Sequence, residues 1–153
     1  MKNKLFLYSL LLIAISACNS RDRKAPESEN DLDAARNFVR AALDGRYDLA
    51  KKYMLQDSVN LQYLENVAQR SYARASDSVA RAYKAADINV HNVSRADSLT
   101  TIVIYSNTYK NDRDTLKVVK QKGEWLVDFK YLYQHSIDSA QIKAHKDSID
   151  VVQ

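Results

Sequence analysis

The chain of 153 residues has one cysteine, one proline, two glycines and three histidines, and each scarcity closes a class of function. A lone Cys18 excludes an intrachain disulfide framework and a thiolate cluster for a metal, so the fold must rest on an ordinary apolar core. With only Gly45 and Gly123, no glycine-rich phosphate loop can form. His91, His135 and His145 are too dispersed to give a metal or triad pattern, and no HExxH occurs. His135, Ser136 and Asp138 are neighbours in sequence, but triads are assembled in space. The 23 Lys and Arg against 19 Asp and Glu are scattered, which gives no footprint for nucleic acid. These absences point to no cofactor and no catalytic set.

What is present begins with "MKNKLFLYSLLLIAISAC". Lys2 and Lys4 precede an apolar stretch from Leu5 to Ala17, with small residues just before Cys18. This is the three-part layout of a secretory signal peptide, residues 1–17. A membrane-spanning helix needs about 20 apolar residues, so this stretch is too short to span comfortably. Nor does Leu5 to Ile15 have the polar face of an amphipathic helix. Cleavage before Cys18 would remove Lys2 and Lys4, and the net charge would fall from +4 to +2.

Ile15-Ser16-Ala17-Cys18 resembles the bacterial lipobox. The resemblance implies a diacylglyceryl thioether on Cys18 and further acylation of the new amine, making Cys18 the lipid attachment site and the membrane a partner. Each buried methylene adds about 0.8 kcal/mol, so two or three acyl chains hold a small protein on a bilayer nearly permanently. Asn19 replaces the aspartate associated with inner-membrane retention, and "CNSRDRK" lacks the acidic cluster of some surface-exposed lipoproteins. The implied location is the cell envelope, in the outer membrane facing the periplasm.

Residues 18–30 carry the lipidated cysteine and a flexible tether, without large apolar residues after Cys18. The domain is expected at 31–133, enough for one core. Leu32, Ala35, Phe38, Val39, Ala42 and Leu43 recur at helical spacing, with Asn30 or Asp31 as the cap and Gly45 as a left-handed stop. A short second helix places Tyr47, Ala50, Tyr53 and Met54 on one side. Helical phase resumes from Leu61 to Tyr83, divided in two by a new cap in "SDS" at 76–78.

After Ala86 the residues become β-branched and aromatic. Strands are expected at 87–93, 98–109, 114–120 and 124–133, joined by short polar turns. In the last one Trp125, Val127, Phe129 and Tyr131 form the better core face, leaving Asp128 to point to solvent or pair with a lysine. Helices first and an antiparallel meander second indicate an α+β fold. Residues 134–153 read as a weakly helical or disordered tail.

"LDGRYDLAKKYM" (43–54) and "KGEWLVDF" (122–129) resemble the helix-turn-helix entry and the closing Gly-x-Trp strand of nuclear-transport-factor-2-like domains. The nearest likeness is to lumazine-binding-like lipoproteins of unknown function. The resemblance implies N-terminal helices packed on a curved four-stranded antiparallel sheet, a cone. Its motifs are structural and carry no activity across. The anchor, the tether and the missing catalytic set point to a non-enzymatic domain for a small molecule or an envelope-protein partner; among its aromatic residues Tyr53, Trp125 and Tyr131 are the candidates for a pocket wall. The alternative is an isomerase- or hydrolase-type enzyme, which would need a buried carboxylate facing the pocket. A homodimer through the outer sheet face at Leu126 and Leu132 is a further expectation.

Overall fold

A computed structural model describes residues 27–72 and 75–134, without the side chains of Ser71 and Tyr72. The expected signal peptide, Cys18, most of the tether and the tail beyond Gln134 lie outside these residues. Among the described residues, no helix is long and apolar enough to cross a membrane.

The first helix, α1, spans Asp31–Leu43. Of the two expected caps, Asn30 is used: its Oδ1 accepts from the Asp33 amide at 2.9 Å, and a capped, acidic first turn suits the positive end of the helix dipole. Asp31 is instead buried, where Oδ2 accepts from Oγ1 of Thr101 at 2.7 Å and Nε of Arg95 at 3.1 Å. That tie fastens the start of α1 to the sheet, and its donors hold the Asp31 carboxyl below the ordinary range against the opposing effect of burial, which is the larger single influence. Gly45 ends the helix at φ 72°, a conformation that costs a side chain with a Cβ.

Helix α2 (Tyr47–Lys52) and α3 (Ser58–Val67) follow. Asp57 caps α3, and a π-helical turn, Ala68–Tyr72, extends it. Helix α4 (Asp77–Ala85) starts at Ser76, as the "SDS" signal indicates. It has no fully buried residue. Arg40 of α1 compensates by donating to the carbonyls of Ala86 at 2.7 Å, Lys84 at 3.2 Å and Tyr83 at 3.3 Å. A guanidinium on the last carbonyls satisfies groups that a helix cannot pair internally.

Strands β1 (Ile88–Arg95), β2 (Thr100–Asn107), β3 (Asp114–Gln121) and β4 (Glu124–Asp128) form one antiparallel sheet in the order β1-β2-β3-β4. A register shift between Val90 and Asn92 interrupts the β1–β2 pair, and Nε2 of the intervening His91 shares a 2.8 Å hydrogen bond with Oγ of Ser106. Val103, Leu116, Val118 and Val127 are fully buried with Phe38, Met54 and Leu64. The side chains alternate as a pleat requires, so one face of the sheet carries the helices. The fold is α+β.

The last strand is shorter than the expected 124–133. Its ladder ends at Asp128, paired with Lys117, and residues 130–134 are helical. The reason is remote: Oδ1 of buried Asn60 accepts from the Lys130 amide at 2.7 Å, taking a donor that an extended chain would aim elsewhere. The other edge of β4 is occupied by residues 53–55. The Val127 amide donates to the Tyr53 carbonyl at 2.8 Å, and the Leu55 amide to the Val127 carbonyl at 2.9 Å.

Trp125 keeps the expected face with incomplete cover, and the expectation for Leu132 is corrected. Trp125 lies on the helix-facing side but opposite Lys120, beside the Gly123 turn, where the helices only partly cover it. It is half-buried, with the Lys120 ammonium 5.4 Å from its ring. Leu132 is not on the outer sheet face, because the chain has already left the sheet. Only Leu126 keeps the position proposed for a dimer contact.

Candidate functional site

The helices do not fill the space above the sheet. A cavity of about 300 Å³ remains between α1 and the end of the β2–β3 hairpin. Phe38, Val39, Ala42 and Leu43 of α1 form one wall. Phe129, Leu132 and Tyr133, delivered by the turn out of β4, form another. Phe129 meets Phe38 at 5.0 Å between centroids and Tyr133 edge-on at 5.5 Å, while Tyr133 stacks on Tyr63 at 4.3 Å. These rings hold one another, so the wall is preformed. Tyr47 and Tyr83 add aromatic surface, and exposed Arg70 and Lys110 mark the mouth.

The polar floor comes from the sheet. Tyr105 and Asp114 are cross-strand partners, and both line the cavity. Burial pushes the Asp114 carboxyl above the ordinary aspartate range; Lys110 opposes this, Asp112 reinforces it, and the Tyr105 hydroxyl opposes it. Burial, then the charge of Asp114, drives the Tyr105 phenol far upward, and Tyr133 shifts the same way for the same first two reasons. The Tyr105 phenol therefore keeps its proton beside this carboxyl.

Asn107 stands two residues farther along the same face and is 5 % exposed. Its Oδ1 accepts from the amides of Tyr109 at 3.2 Å and Lys110 at 3.0 Å, which folds the turn after β2. Two amide donors on one atom fix that atom as the oxygen. Among the described residues, Nδ2 of Asn107 donates to no protein group, and it remains available to the cavity that Asn107 lines. No cluster of three metal-ligating side chains occurs among the described residues.

No family model, curated protein or solved structure matches this chain. What its site does must be argued from the geometry.

None of the three residues expected to line a pocket borders this cavity. Tyr53 is buried beside β4, Trp125 lies at the far end of the last hairpin, and Tyr131 sits half-buried in the turn of helix at 130–134. Asp128 is on the outer face as expected and pairs with Lys130 at 3.4 Å and Lys117 at 3.9 Å. It does not reach solvent freely, because Asn60 donates to it at 3.1 Å and leaves it 7 % exposed. The carboxylate that does face the cavity, Asp114, had a legible signal. It is in phase with Leu116 and Val118, and an acid on a core-facing phase is out of place unless it has work to do.

Proposed function

We propose that this chain is a lipid-anchored cell-envelope protein whose cone-like domain binds a small, largely apolar molecule without chemical change. The carrying observation is the cavity of about 300 Å³: a domain serving only as a spacer would gain stability by closing it. The volume is at the lower end of small-molecule sites, and aromatic walls with few polar groups are their usual lining. The amino-terminal pattern supports attachment through Cys18 to the outer membrane, facing the periplasm. Two measurements test this. Cys18→Ala should abolish lipid labelling and detergent-phase partitioning, and undiminished labelling would end the anchor assignment. Calorimetric titration of the detergent-extracted protein with quinoline, a neutral bicyclic of suitable size, should show binding that Ala42→Trp removes by filling the space. Equal binding by both proteins would sink the cavity reading.

Asp114 favours a second reading, an isomerase- or hydrolase-type acid–base site, since a carboxyl facing a pocket with a raised pKa suits proton transfer. This reading requires that Asp114 titrate well above ordinary aspartate. A group whose folded pKa is raised favours the fold below its unfolded pKa and loses that contribution as pH rises through the folded value. Compared with Asp114→Asn, the wild type should therefore lose ground progressively across that interval, and the gap should level off above it. A stability difference flat with pH above the ordinary aspartate range would remove the acid–base reading.

A further inference from the structure

The cavity floor presents two unlike groups side by side. Asp114 offers an acceptor: its carboxylate has about four lone-pair directions, and the single hydroxyl of its cross-strand neighbour Tyr105 can take at most one of them. Asn107 offers a donor, Nδ2, because its Oδ1 is committed to the turn. Since Asp114 pairs with Tyr105, Asn107 is at the diagonal position, about 7–8 Å away between backbones in a regular pair. Both side chains line the same cavity, so one ligand edge can meet the two together. Above them, the rings of Phe38, Phe129 and Tyr133 supply faces and edges for a flat body.

We propose that the cavity recognises a small planar molecule by a cis-amide edge, its N–H donating to the Asp114 carboxylate and its C=O accepting from Nδ2 of Asn107. This rests on the cavity reading above and adds the class of ligand. A molecule that lacked the N–H would strip water from Asp114 without replacing the hydrogen bond, and one that lacked the C=O would leave Nδ2 of Asn107 without a partner. Sites built around buried polar groups discriminate most strongly against such analogues. The rest of the ligand would lie toward Arg70 and Lys110 at the mouth.

The test uses three bicyclic probes of similar size on the full-length, detergent-extracted protein, with a micelle blank: 2-quinolone, N-methyl-2-quinolone and quinoline. The lactam 2-quinolone should bind about tenfold or more tighter than either analogue, as expected for paired hydrogen bonds in a dry site. Asn107→Asp retains the oxygen that holds the turn but loses the donor, so it should erase the preference while leaving the thermal transition in place. Equal affinity for all three probes would overturn the edge assignment and leave the cavity reading standing. Binding of none would overturn both, and a preference that survived in folded Asn107→Asp would refute the donor role. The three-probe comparison on the wild type decides the matter even if that variant fails to fold.

Discussion

Phe38→Ala should lower the unfolding free energy by about 3–5 kcal/mol, the usual cost of removing a buried phenylalanine. Phe38 is 2 % exposed, sits on the sheet side of α1 and meets Phe129 at 5.0 Å. Truncation would enlarge a cavity that already exists, so the surrounding side chains would have little to collapse onto. The loss is a large fraction of the stability of a small domain. Urea denaturation followed by far-UV circular dichroism measures it. A loss below about 1 kcal/mol, the range of peripheral substitutions, would show that this wall is not a packed part of the core.

A comparable loss should follow from Asn60→Leu, for the opposite reason. Asn60 is fully buried, and nearly its whole hydrogen-bonding capacity is spent. Its Nδ2 donates to Oδ2 of Asp57 at 2.6 Å and to Oδ1 of Asp128 at 3.1 Å, while Oδ1 receives the Lys130 amide at 2.7 Å. Leucine keeps the volume and removes all three bonds. The Lys130 amide then has no acceptor, and the buried Asp128 carboxylate keeps only its two lysines. An orphaned buried group costs about 1–3 kcal/mol, and more when it is charged, so a total of about 3 kcal/mol or more is expected. The same variant should loosen the turn that delivers Phe129 and Leu132 to the cavity, visible as weaker quinoline binding at temperatures where the protein is still folded. Unchanged stability and unchanged binding would mean that this polar cluster does not set the end of β4.

These two residues show where reading the sequence succeeds and where it stops. The face of α1 that contains Phe38 follows from spacing alone, and its limits follow from Asn30 and Gly45, because helix ends are decided by neighbours in the chain. The strands from Ile88 to Gln121 were legible for a similar reason: alternation and short polar turns are local chemistry. The end of β4 was not legible. Asn60 and Lys130 lie 70 residues apart, and nothing in "DFKYLY" signals that a distant amide will break the ladder. That one error misplaced Tyr131 and Leu132 together, and with them part of the expected pocket and dimer face. The cavity itself draws on segments from Phe38 to Tyr133, so no window of sequence contains it. Asp114 alone carried a local signal, a carboxylate in phase with the core, and the sequence reading, which weighed Asp128 instead, missed it.

The two borders of the sheet differ in a way that bears on how copies of this protein behave in company. Along β4, the segment 53–55 takes up both the amide and the carbonyl of Val127. Along β1, the register shift at His91 breaks the straight run, and Asn89, Asn92, Ser94 and Arg95 surround it with exposed polar side chains. A strand from a neighbouring molecule needs a flat, regular row of free backbone groups to add to, and bulges and polar or charged side chains are the features that deny it one. Among the described residues, both borders thus carry features that oppose growth from chain to chain where many copies are crowded together.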